Sequence, residues 1–100
     1  MKPPQAFYDF TLQFDQDLHL VYPDWASESP TARHDIYKNF RRTYGDQTVR
    51  DLSTFSRRLL SDENLDLESL WSKESKADWV IPEEEIRRLF NDFEAWASSL

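Results

Sequence analysis

One hundred residues make one domain, and seven Phe, four Trp and four Tyr supply too much apolar mass for a disordered chain despite 31% charged residues. A single glycine and many large side chains favour helices packed on helices over a sheet with tight turns. The net charge of −7 argues against general nucleic-acid binding and against an anionic membrane surface, and the absence of cysteine excludes disulfides and thiolate chemistry.

The N-terminal stretch from residue 7 to 25 organises the rest. Phe7, Phe10 and Phe14 lie at i, i+3 and i+7, one side of a helix, and Pro3 and Pro4 suit its first turn. Leu18, Leu20 and Tyr22 then alternate up to Pro23, which predicts a short extended piece over 18–22. No Lys or Arg falls between Asp9 and Glu28, so Asp15, Asp17 and Asp24, beside Tyr22 and Trp25, form an acidic, aromatic rim without local compensation. That composition suits a docking face better than a reaction centre.

Ser29 and Pro30 fit N-cap and N1 of a second helix, which carries Ile36, Tyr37, Phe40 and Tyr44 and ends at Gly45. Arg41 and Arg42 in its last turn complement the helix dipole. Thr48-Val49-Arg50-Asp51 resembles a capping box for a third helix with Val49, Leu52, Phe55, Leu59 and Leu60 near one face. From Arg33 to Arg58 seven basic residues face three acids, so this centre is basic between acidic flanks, and its simplest use is pairing with those flanks.

Leu65, Leu67, Leu70 and Trp71 suggest a fourth, short helix, with Asp62, Glu63, Asp66 and Glu68 crowding its front. Pro82 opens the last helix, Glu83, Glu84 and Glu85 fill its first turn, and Ile86, Leu89, Phe90, Phe93, Trp96, Ala97 and Leu100 make the most regular apolar stripe in the chain. The expected fold is all-α: residues 1–100 form one compact bundle of about five helices.

Chemical motifs are sparse. His19 and His34 are the only histidines, and no serine sits in a nucleophile elbow. His19 lies close to Asp17, but it reads more readily as a partly exposed structural histidine than as half of an acid–base pair. Asp15-Gln16-Asp17 and Asp62-Glu63-Asn64 offer oxygens but do not continue as a calcium loop, zinc ligands are too few, and one glycine makes no phosphate cradle. No catalytic residue, metal or cofactor is expected. No apolar run approaches the roughly twenty residues of a membrane span, and no signal-peptide core is evident, so the cytoplasm is the default compartment.

Phe14-Asp15-Gln16-Asp17-Leu18, Tyr22-Pro23-Asp24-Trp25, the acidic turn Leu59-Leu60-Ser61-Asp62-Glu63 and the late Ala77-Asp78-Trp79 occur in an order that resembles the small immunity proteins of bacterial contact-dependent growth inhibition systems. The resemblance is one of pattern across most of the chain. It departs where members often show a His-Gln-Asp core in the first motif and a Tyr or Pro after the late Trp, here Val80-Ile81-Pro82. It implies a non-catalytic protein that binds and neutralises a cognate toxin C-terminal domain, often a nuclease, as a cytoplasmic heterodimer without touching nucleic acid itself. The residues alone leave a second reading, an acidic regulatory or adaptor module that binds a basic nucleic-acid-binding protein, and a weaker third, RNA binding by the Arg33 to Arg58 region. The expected partner surface is Asp15, Asp17, Tyr22, Asp24 and Trp25, with Asp62, Glu63, Asp66 and Glu68 as the alternative.

Overall fold

Six helices follow one another in the computed structural model, which describes residues 2–14, 18–23, 25, 29, 31–75, 77 and 81–100. They are α1 (Gln5–Thr11), α2 (Leu18–Val21), α3 (His34–Tyr44), α4 (Asp46–Ser61), α5 (Leu67–Glu74) and α6 (Glu83–Ser98). The five longer ones are the helices the apolar spacing predicts, and no strand occurs among the described residues.

Pro4 caps α1 in an extended conformation, and the Phe7 N–H donates to its carbonyl at 3.0 Å. The α-helix stops at Thr11, but tighter i→i−3 bonds from Gln13 to Phe10 and from Phe14 to Thr11 carry the chain one turn further. Phe14 is thereby delivered into the core beside Phe7 and Phe10.

The extended piece expected over 18–22 is instead a single helical turn, closed by the Tyr22 N–H donating to the Leu18 carbonyl at 2.8 Å. A lone strand in a helical bundle would leave its backbone groups without ladder partners, whereas a turn satisfies them internally. Alternation misleads here because Leu20, which it would bury with Leu18, is 71% exposed, while Leu18 and half-buried Tyr22 face inward at i, i+4.

Two expected helix starts also move. The α-helix of α3 begins at His34 after a turn in which the Ser29 hydroxyl accepts from the Thr31 N–H; Pro30 lies outside the described residues. No capping box forms over 48–51, because α4 has already begun at Asp46 and Thr48 donates its hydroxyl back to the Tyr44 carbonyl. Gly45 explains the early start: with φ 94° and ψ 170° it ends α3 and begins α4 in a single residue. That conformation belongs almost only to glycine. Across the corner Arg41 pairs with Asp46 at 2.6 Å.

The largest helix interface is α4 on α6, with α1 and α3 also against α4 and α5 against α6. Glu94 meets Ser53 and Arg57 in the middle and second half of α4, while Ala97, Ser98 and Leu100 lie beside Asp46, Val49 and Arg50 at its start, so α4 and α6 run antiparallel. Between α1, α3 and α6 lies a cluster of rings centred on Phe10, fully buried, with centroids of Phe14, Phe40, Phe90 and Phe93 at 5.1–5.8 Å. Burying each such ring contributes roughly 1.5–3 kcal/mol, with more from edge-to-face geometry. Trp71 and Trp96 join this core, whereas Leu100, the end of the predicted stripe, lies beyond α6 and is 60% exposed.

Candidate protein-docking surface

Of the expected N-terminal rim, Asp15, Asp17 and Asp24 lie outside the described residues, as does Trp79. Tyr22 and Trp25 are described, and both are half-buried against the core. The Trp25 ring meets Phe14 edge-on at 5.7 Å, and the Tyr22 hydroxyl accepts from the Asn39 side-chain amide. Each therefore has a packing role that any docking role would have to share.

Holding Trp25 is a polar network that sequence reasoning missed. Arg33 is 4% exposed, and its Nε donates to Asp92 Oδ2 at 2.8 Å. The same oxygen accepts from the Tyr37 hydroxyl at 2.7 Å. Arg33 also donates to the backbone carbonyls of Trp25 at 2.8 Å and Ser29 at 3.5 Å, so one guanidinium ties the loop before α3 to α6. Burial works against the Arg33 charge, but the hydrogen bond and charge of Asp92 outweigh it and raise the guanidinium above its usual value. Burial, reinforced by Asp92, pushes the Tyr37 phenol far above the ordinary tyrosine range. The signal was in the sequence: Asp92 is three residues after Leu89 and four before Trp96, an acid on the apolar stripe.

The alternative surface is described in full. Asp66 caps α5, its Oδ1 accepting from the Ser69 N–H at 3.0 Å. Asp62 Oδ1 accepts from the Asn64 N–H at 3.1 Å within the turn after α4. Glu68 reaches across to α6, where its Oε1 accepts from the Glu83 N–H at 3.0 Å. That last bond is invisible in the sequence, and it places Glu68, in the first turn of α5, beside the three glutamates that open α6. Arg87 and Arg88 face Glu83 and Glu85 at 3.8 and 3.4 Å, but Asp62, Glu63, Asp66, Glu68 and Glu84 have no ion-pair partner among the described residues.

Much of this acidity is structural, because carboxylates at α5 and α6 satisfy N–H groups that helix starts leave open. Glu63 and Glu84 are exposed and make no hydrogen bond with another described residue, so their charge faces outward. The basic centre is partly consumed by the acidic flank, as expected: Arg33 pairs with Asp92 and Arg57 with Glu94 at 3.0 Å, while Arg41 pairs within the centre with Asp46.

Among the described residues no group of three His, Asp or Glu could hold a metal ion, and no helix is long and apolar enough to cross a membrane. No protein-family model, curated protein or solved structure matches the chain.

Proposed function

We propose that this chain is a non-catalytic inhibitor that docks a basic face of a partner protein through the acidic end made by the start of α5 and the start of α6. The observation that carries the reading is the Glu68–Glu83 contact, which merges two acidic segments fifteen residues apart into one surface. Such a surface speeds encounter with a basic partner and discriminates against acidic ones. A nuclease must present a basic, phosphate-accepting cleft, and the pattern resemblance to contact-dependent growth inhibition immunity proteins supplies that partner: a toxin C-terminal domain, bound one-to-one in the cytoplasm.

The test is co-expression with the C-terminal domain of a large secreted filamentous protein encoded beside this gene. Rescue of growth is expected, together with a salt-sensitive association rate. Glu63→Gln with Glu84→Gln, which removes no hydrogen bond seen among the described residues, should slow association several-fold at low ionic strength and leave the circular dichroism unchanged. Absence of rescue sinks the toxin assignment. Rescue with an unaltered association rate moves the docking surface elsewhere.

A further inference from the structure

Away from the acidic end, α3, α4 and the C-terminal end of α6 line two adjoining open concavities of about 460 and 430 Å³. They share Arg41, Asp46 and Leu100, so they form one groove. Arg50, which lines the larger concavity, lies roughly 18 Å along the α4 axis from Asp62 at 1.5 Å per residue.

The groove's charge is opposite to that of the chain. Lys38, Arg41, Arg42, Arg50 and Arg57 line it with one acidic side chain, that of Asp46, in a protein with nineteen acids and twelve Lys and Arg. Asp46 neutralises Arg41 at 2.6 Å, and Glu94 meets Arg57 at 3.0 Å from the flank. Lys38, Arg42 and Arg50 make no ion pair with any described residue; Arg50 donates only to the Gln47 side-chain oxygen and Arg42 only to that of Asn39. Ser53, Thr54 and Ser98 add hydroxyls, while Val49, Ala97 and Leu100 give an apolar floor.

We infer that this groove binds a small organic phosphate, with its anionic group on Arg50 and its neighbouring guanidinium groups and its apolar or planar portion on the floor. Four of the five cations are arginines, whose planar forks match phosphate oxygens two at a time. The volume lies within the roughly 300–1,000 Å³ usual for small-molecule sites. A nucleic-acid strand fits less well, because a chain with nineteen acids against twelve Lys and Arg repels the phosphates that would extend beyond the groove. This inference concerns a different surface from the acidic docking end and stands or falls separately.

Calorimetric titration of the full chain with ATP, and separately with inorganic pyrophosphate, at about 50 mM salt tests it. One-to-one saturation by both probes is expected, with ATP the tighter because it alone reaches the floor. Arg50→Gln, at an exposed helix position, should weaken ATP by about tenfold, the usual loss for one charge-assisted hydrogen bond. Arg88→Gln, on the first half of α6, should leave binding unchanged. Amide resonances of Arg50, Ser53, Thr54 and Ser98 should shift on ATP addition. No saturable binding of either probe up to about 5 mM, or binding indifferent to Arg50→Gln, overturns the proposal. Equal affinity for the two probes removes the organic portion, and capture of a single-stranded RNA oligomer without either small probe replaces the ligand class.

Discussion

Truncating Asp92 to alanine should be among the most damaging single changes to a charged residue of this protein. Its Oδ2 accepts both the Arg33 Nε–H at 2.8 Å and the Tyr37 hydroxyl at 2.7 Å. The Arg33 side chain is only 5% exposed and that of Asp92 14%, so water cannot replace what is removed. Breaking one partner of a buried pair costs about 3–5 kcal/mol, mostly from the stranded charge. Here the carbonyls of Trp25 and Ser29 still receive Arg33, so the lower end, about 3 kcal/mol, applies. For a domain of this size that is a fall in Tm of roughly 12–24 °C. Tyr37→Phe removes one hydrogen bond to a charged acceptor and should cost about 1.5–2 kcal/mol. Arg33→Met combined with Asp92→Ala should recover at least about 1 kcal/mol relative to Asp92→Ala alone, because no charge is left buried. Urea unfolding of the native chain and the three variants, followed by circular dichroism, gives these differences. If Asp92→Ala costs less than about 1 kcal/mol, the range of an exposed side chain, the network is not the tie between α3 and α6 described above.

Tyr37 also sets an alkaline limit. Its folded-state phenol is raised by burial and by Asp92, so its contribution is whole below the ordinary tyrosine value near 10 and is lost as pH rises from there toward the folded value. Unfolding free energies from urea curves between about pH 9 and 11.5 should fall more steeply for the native chain than for Tyr37→Phe, by up to about 1.4 kcal/mol per pH unit; parallel curves would refute this. Gly45→Ala should destabilise by about 1–3 kcal/mol through backbone strain alone, since an added Cβ meets nothing within 4 Å. A Gly45→Ala chain as stable as the native one would mean that the corner between α3 and α4 relaxes.

The five longer helices were legible because each combines a 3.6-residue apolar period with a recognisable boundary residue. Pro82 before α6 and Gly45 after α3 stand where those rules put them. What failed was local and short. The 18–22 segment has too few residues for its period to separate a turn from a strand, and the absence of a pairing partner elsewhere in the fold decides for the turn. Thr48 and Asp51 had the chemistry of a cap, but Gly45 had already turned the chain, and no pattern read within 48–51 contains that fact. The acidic residues before α5 stand out in the sequence, yet their union with Glu83 and Glu84 depends on how α5 lies on α6. The basic groove was visible only as an excess of arginine, because its walls come from three helices and its shape from the α4–α6 packing.

The two charged regions have a common origin in the antiparallel packing of α4 and α6. The start of α6 carries three glutamates, which its macrodipole favours, but its last turn carries no basic residue. Complementary charge for that end is supplied from outside, by the arginines of α3 and α4 that surround Ala97 and Ser98. Helix polarity therefore accounts for some cations in the groove. Its demand is limited, since a helix end is equivalent to about half an elementary charge. Five cations against Asp46, with Glu94 at the flank, leave a surplus several times larger. Surplus like charge held in one concavity is self-repulsive and contributes nothing to folding. A bound anion relieves that repulsion, and the folded chain should therefore gain stability from its phosphate ligand in proportion to the logarithm of ligand concentration above Kd.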